Sequence, residues 1–352
     1  MTNYSPKVKL FGTSCTPSEA SVVVIPIPWG VTAPSRSSAA LGPDHILKAS
    51  YQVKSFPTAY ANGTKLGIAM LPIPHNWKMI SDSLRHHTLG HIHAVESGSS
   101  ILKFKASLAK KVDQYAYELK EQTKVRAHTY LKQEKMVVTL GGDHSTSLGL
   151  IEAMADHYNN MGILHIGANP AMHQAYQGVK HSHASTIYNV LELAHVVQVV
   201  QIGLRDCTPE EQRMVQLHEG RVHPFYHSSL KQQQLQGATW HELCMPIIKL
   251  LPDRVYINFN INGLDPKLCP STGAPVPNGL ELDEVYYLID NIVKAGKQIV
   301  GADLCEVAPG ENMDWDAQVG SRVLQYLCMA IGASQGKLTS KSAAPSTEHV
   351  RV

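Results

Sequence analysis

The chain has 352 residues, of which 17% are charged, and a formal net charge of +2. That length can hold a full core in one or two domains, and the near-neutral balance without a basic cluster excludes a surface that tracks a phosphate backbone, so no nucleic-acid partner is expected. No apolar run approaches the ~20 residues that cross a bilayer, and Cys15, Cys207, Cys244, Cys269, Cys305 and Cys328 form no Cys-x-x-Cys pair, which excludes a zinc ribbon or disulfide framework and leaves a soluble, cytoplasmic protein as the expectation.

In chain order, the start Met1 to Pro6 lacks a charged region followed by an apolar one, and residues 1–20 read as an N-terminal extension. Short apolar runs then predict eight strands: Ser21 to Ile27, Leu66 to Leu71, Lys135 to Leu140, Gly162 to Ile166, Val196 to Leu204, Arg221 to Phe225, Arg254 to Phe259 and Gln298 to Leu304. Several are apolar on both faces, as strands between two helix layers must be. Helices are signalled from Gly42-Pro43 to Ser50, within Ser97 to Leu131, from Thr208-Pro209-Glu210-Glu211, and after Ser145, Leu282 and Trp315, by apolar spacing, Pro at a first helical position and acids in the first turn. Alternation of this kind predicts a single-domain, three-layer α/β/α fold over residues 21–333 with a mainly parallel eight-stranded sheet. The segment 334–352, rich in Ser, Lys, Ala and Pro, has no apolar period and is expected to be a disordered tail.

In parallel sheets, ligands bind beyond the carboxyl ends of strands, where loops converge and helix N-termini present unpaired N–H groups. Four segments are predicted at such ends: Gly141-Gly142-Asp143-His144-Ser145, Gly167 to His173, Asn258 to Pro266, and Asp303 to Pro309. Their shared placement predicts one composite site. Taken alone, Gly-Gly-Asp-His-Ser is also compatible with an ordinary strand-to-helix turn, and Asp143, Asp206 and Asp265 read as turn-holding carboxylates that accept backbone N–H bonds.

As a set these motifs resemble the ureohydrolase family, which includes arginases and agmatinases, and the chain is most similar to its agmatinase-like branch. The resemblance runs from about Val22 to Ile331 and takes in Pro26-Ile27-Pro28-Trp29-Gly30, Leu41-Gly42-Pro43, Gln201-Ile202-Gly203-Leu204-Arg205-Asp206, Ser271 to Leu280, and Asp303-Leu304-Cys305-Glu306-Val307-Ala308-Pro309. It implies an arginase-like fold, a trimer or hexamer, and metal-assisted hydrolysis of a guanidino group by two manganese ions about 4 Å apart that activate a bridging water.

The resemblance places the six metal-ligand positions at His144, Gly167, Asn169, Ala171, Asn260 and Asn262, where the family has His, an Asp-Ala-His-x-Asp segment and two further carboxylates. Only His144 keeps its type. Gly167 and Ala171 have no donor atom, and Asn169, Asn260 and Asn262 offer neutral amides that do not offset two dications. No metal cofactor is therefore expected, and no catalytic residue is expected to be intact. A replacement site drawn from His165, His173, His181 and His183 has no tight ligand spacing to support it. The resemblance also implies that Glu306, which aligns with a guanidinium-contacting glutamate, and His183, which aligns with a pocket histidine, line a surviving pocket for a guanidino compound.

The expected function is a pseudoenzyme: a guanidino-binding, regulatory or assembly subunit, either homo-oligomeric or joined to an active relative. The alternatives are a hydrolase of a linear amidine C–N bond with an altered or mononuclear metal site, a metal-free enzyme using His144, His183 and Glu306 as acid and base groups, and an ordinary manganese enzyme. Pro170, Met172 and His173 beside the lost ligands also depart from the active pattern, which reads as drift more than targeted replacement.

Overall fold

The apolar runs assemble into one sheet in which every neighbouring pair is parallel. The computed structural model describes residues 9–34, 36–53, 60–61, 66–99, 104–310 and 314–340. The strands are β1 (Val22–Ile27), β3 (Ile68–Met70), β4 (Met136–Gly141), β5 (Met161–Ile166), β6 (Val196–Leu204), β7 (Val222–Tyr226), β8 (Arg254–Asn260) and β9 (Gln298–Cys305), in the order β3-β1-β4-β9-β8-β5-β6-β7. A separate antiparallel pair, β2 (Tyr60–Ala61) with β10 (Thr339–Ser340), is too short to leave a sequence signal.

Strand periodicity divides the core in two. Val22 and Val24 of β1, Leu164 and Ile166 of β5, and Val255, Ile257 and Phe259 of β8 pack on α1 (Gly42–Ala49), α7 (His227–Leu235), α8 (Trp240–Leu250), α9 (Leu282–Lys294) and α10 (Trp315–Ser334). The intervening residues Ile25 and Ile27, Met161 and Ile163, and Tyr256 pack on α2 (His75–Glu96), α3 (Ala106–Leu131), α4 (Leu148–His157), α5 (Thr186–Leu191) and α6 (Pro209–Leu217). A sheet covered on both faces needs strands that are apolar on both sides, which is why all eight runs were visible in the sequence. The result is the three-layer α/β/α arrangement.

The chain departs from expectation at three places. Residues 75–96 form a helix that the sequence did not announce, whereas the pattern within Ser97 to Leu131 does form one, over Ala106–Leu131. Within the N-terminal extension, the described residues 9–20 join the core, since Leu10 is buried and the Phe11 N–H donates to Ser50 Oγ at 3.0 Å. At the other end α10 runs to Ser334, Leu338 is buried and Thr339–Ser340 pairs with β2, so order extends past the boundary expected at 334. Residues 341–352 lie outside the described residues. No helix among the described residues is long and apolar enough to cross a membrane.

Candidate functional site: a buried polar cluster at the sheet centre

Because β4, β9, β8 and β5 are consecutive, parallel neighbours, the segments that follow them leave the same edge of the sheet side by side. The first turn is forced by sterics. A Cβ on Gly142 would lie 1.8 Å from the Trp29 carbonyl oxygen, so only glycine fits while the Asp143 N–H donates to that oxygen at 2.7 Å. Asp143 then accepts from the Ser145 N–H at 3.1 Å and from Ser145 Oγ at 2.5 Å, which aims His144 at the sheet.

Beneath these loops runs a polar row that the sequence did not reveal. Cross-strand pairing sets Gln201 of β6 beside His165 of β5, His165 beside Asn258 of β8, Asn258 beside Asp303 of β9, and Asp303 beside Thr139 of β4. All five are buried. Asn258 is the hub: its Nδ2 donates to Asp303 Oδ2 at 2.8 Å and to Ser147 Oγ at 3.1 Å, and its Oδ1 accepts from His144 Nε2 at 2.8 Å. The carboxylate fixes the amide orientation, and the amide places the His144 proton on Nε2 and leaves Nδ1 as the lone pair.

The His165 imidazole lies against Gly167. Its Nδ1 accepts from Gln201 Nε2 at 2.9 Å, and its ring stacks on that of His144 with centroids 5.2 Å apart. A Cβ added at Gly167 would stand 2.5 Å from His165 Nε2. Residues 165 and 167 face the same way along a strand, so a side chain at 167 would require the imidazole to shift. His165 Nε2 has no hydrogen-bond partner among the described residues.

The remaining expected ligand positions are committed to one another. The Asn262 N–H donates to Asn260 Oδ1 at 3.0 Å, and Asn262 Oδ1 accepts from the Ala168 N–H at 3.0 Å. Asn169 Nδ2 donates to the Asp206 carbonyl at 3.0 Å and to Asp206 Oδ2 at 3.1 Å, so Asp206 bridges two strand ends where the sequence pointed to a simple turn. Asp265 does hold its turn, through the Lys267 N–H at 3.0 Å. Ala171 is drawn away from the cluster: its backbone is left-handed at φ 53°, its carbonyl caps α5, and its methyl joins the apolar core with Met172 and Ile187.

Glu306 sits at the end of β9 in a left-handed conformation, φ 64°, and is buried. Its Oε1 accepts from the His144 N–H at 3.1 Å, while Oε2 has no partner among the described residues. Burial and the neighbouring Asp143 push its carboxyl up to about 8. Burial likewise raises Asp143 and Asp303 to about 6 and lowers His144 to about 4. His183 lies at the rim, where its N–H donates to Thr32 Oγ1 at 3.1 Å and its ring meets Tyr176 edge-on. Burial lowers it to about 3, with the neighbouring His144 and Arg85 acting in the same direction. Thr32 in turn reaches Asp143 Oδ2 at 3.5 Å, which ties His183 to the cluster.

Arg85 of α2 was missed in the sequence because its helix was missed. Its guanidinium, held by the carbonyls of Val31, Ala33 and Pro34, acts electrostatically on Asp143 and Glu306. The outer histidines are engaged elsewhere: His181 Nδ1 faces Asp113 at 3.0 Å, and His173 lies between Glu210 and Glu211 at 3.4 and 3.6 Å. Among the described residues, no three His, Cys, Asp or Glu side chains converge as metal donors. Of the carboxylates in the cluster, Asp143 is bound by Ser145, Asp303 is bound by Asn258, and Glu306 has one oxygen without a partner among the described residues. This donor set does not fit two divalent cations.

An N(1)-aminopropylagmatine ureohydrolase of Thermus thermophilus is 28% identical over 333 residues, spanning 94% of this chain and 97% of the relative. An agmatinase of Halalkalibacterium halodurans is 30% identical over 179 residues, 51% of this chain and 58% of the relative. Among solved structures, the agmatine ureohydrolase of Thermoplasma volcanium superposes with a TM-score of 0.70 at 19% identity, covering 94% of this chain and 96% of that one. Residues 20–330 match the arginase family, and with the parallel eight-stranded sheet and the motifs at its centre, the chain belongs to that family.

Proposed function

We propose that this chain is a pseudoenzyme of the arginase family, which binds a cationic guanidino compound at Glu306 without hydrolysing it and without a metal cofactor. The observation that carries the reading is the His165 ring lying against Gly167, beside amides at Asn169, Asn260 and Asn262 that are spent on one another and on Asp206. Without acidic oxygens to offset them, two dications are not held, and no metal-activated hydroxide forms. Glu306 supports the binding half: a buried carboxyl with one unpartnered oxygen gains a partner from a planar cation. A binding subunit of this kind would act through assembly, with copies of itself or with an active relative.

A second reading has its own support. The Thermus relative, similar over nearly the full length of both chains, is named for ureohydrolase activity, and His144 keeps an Nδ1 lone pair free of Asn258. That favours a hydrolase of a linear amidine C–N bond with an altered, mononuclear metal site. A thermal-shift screen of agmatine, arginine and Mn²⁺, singly and together, separates the two. Stabilisation by the guanidino compound alone fits the pseudoenzyme; stabilisation by Mn²⁺ alone, with urea release, fits the hydrolase.

A further inference from the structure

The central cluster is sealed. Asp143, His144 and Glu306 are 0%, 2% and 3% exposed, so a ligand that reaches Glu306 needs a cover that moves. Residues 173–184 have the build of one. The His173 N–H donates to the Ala184 carbonyl at 3.1 Å, which brings the ends of the excursion together as in an Ω-loop. The base is fixed: the Ala171 carbonyl accepts from the Ile187 and Tyr188 N–H groups of α5, and Ser182 Oγ lies 2.7 Å from Ser185 Oγ.

Above that base the loop is loosely held. Among the described residues, the backbone–backbone hydrogen bonds of residues 174–181 are the pair that Tyr176 and Val179 exchange, at 3.0 and 2.9 Å. Gln177 and Gly178 between them have φ 53° and 85°, the left-handed pair of a tight hairpin turn, so the tip moves as a unit. Side chains tie it down. Asp113 of α3 accepts from the His181 N–H at 2.8 Å and faces His181 Nδ1 at 3.0 Å. Gln177 Oε1 faces His91 Nε2 of α2 at 3.3 Å, and Asn189 Nδ2 of α5 donates to the Lys180 carbonyl at 2.9 Å. Val179 is buried, whereas Gln174, Ala175, Gly178 and Lys180 are exposed. A segment with one apolar anchor and few backbone bonds to its surroundings opens locally at low cost compared with the sheet.

The same loop touches the cluster. The His183 N–H donates to Thr32 Oγ1, which reaches Asp143 Oδ2 at 3.5 Å, and the Tyr176 ring meets that of His183 with centroids 5.0 Å apart. The Arg85 guanidinium acts electrostatically on both Tyr176 and Glu306, which sets the loop and the buried carboxyl around one cation.

We propose that residues 173–184 form a lid over the central cluster, latched to α3 by His181 and Asp113, which opens to admit a ligand to Glu306 and closes over it. The inference rests on the reading of Glu306 as the ligand-binding carboxyl, but opening and closing belong to the chain without ligand and are measured there.

Asp113→Ala removes the latch and keeps a good helix former in α3. Gln177→Gly removes the tie to α2 at a left-handed position that glycine favours, and it serves if Asp113→Ala does not fold. Two rates are read on the full chain without ligand: hydrogen exchange by mass spectrometry, and the initial modification of His144 by diethylpyrocarbonate, located by peptide mapping. His144 has an Nδ1 lone pair free of Asn258 and is reached by the reagent when its cover opens. Asp113→Ala is expected to speed exchange in residues 173–184 at least about tenfold, to leave Met161–Ile166 of β5 unchanged, and to speed His144 modification by a similar factor. Unchanged exchange in the loop would show that no latch exists, and faster exchange with unchanged His144 modification would show that the loop is not the cover; either result overturns the proposal. Failure of agmatine to bind in calorimetry, with both variant effects present, overturns the guanidino reading alone and leaves the lid standing.

Discussion

Glu306→Gln tests the electrostatics of the central cluster with a sign that can be worked out beforehand. The carboxyl is raised from an ordinary value of 4.5 to about 8, so between those pH values the unfolded chain is ionised there while the folded chain still carries the proton. The folded state then binds more protons than the unfolded one, and stability falls as pH rises through that window. One pH unit corresponds to about 1.4 kcal/mol. From pH 5 to pH 7 the Glu306 contribution therefore falls by about 2.5 kcal/mol, allowing for incomplete ionisation of the unfolded chain at pH 5.

Glutamine cannot ionise and keeps an oxygen to accept from the His144 N–H. Any fixed cost of its extra N–H group is the same at both pH values and cancels in the difference. Urea unfolding of both proteins at pH 5 and pH 7, followed by tryptophan fluorescence, should show the variant gaining about 2.5 kcal/mol relative to the parent as pH rises. The neighbouring histidines change stability in the opposite sense, because their depressed values make stability fall as pH drops below about 6.5, but they do so in both proteins. Asp143, raised by burial, makes stability fall as pH rises, again in both proteins, so it too cancels in the difference. A difference that stays constant between pH 5 and pH 7 would refute the picture of a half-satisfied, buried carboxyl.

Three further outcomes follow from the geometry. Gly167→Asp should destabilise the fold by about 2 kcal/mol or more through overpacking against His165, and Gly167→Asp with His165→Ser should recover much of that loss; additive effects in thermal melts would show that the two positions do not share a volume. Asn258→Leu removes the partner of His144 and one of the donors to Asp303, which keeps the Phe259 N–H, so a loss of about 2–3 kcal/mol is expected, measured by urea unfolding at pH 7; a loss under about 1 kcal/mol would remove Asn258 as the hub. Binding of agmatine to Glu306 should release a proton between pH 6 and pH 8, seen as a dependence of calorimetric heat on buffer ionisation enthalpy, and buffer-independent heats would place the cation elsewhere.

The fold was legible because a doubly covered sheet writes itself as short runs apolar on both faces, and segments such as Val22 to Ile27 or Val196 to Leu204 suit little besides a buried strand. The helix over residues 75–96 was not. Its buried stripe is Trp77, Ser81, Leu84, Thr88 and Ile92, and two hydroxyl residues in five dilute the apolar period that signals a helix; Arg85 was lost with it. The ligand positions were readable from their motifs, but what fills the space was not. That His165 lies against Gly167 depends on contact distances. The polar row from Gln201 to Thr139 depends on strand order and register, since its members come from five strands scattered through the sequence.

A cleft without a donor set for two metal ions should neither retain them nor hydrolyse a guanidino group. Metal analysis of protein equilibrated with excess Mn²⁺ and freed of unbound ion, with urea release from agmatine measured on the same sample, tests that directly. The prediction is manganese well below one ion per chain and urea at the level of the protein-free control. Two manganese ions per chain, or urea above that control, would contradict it.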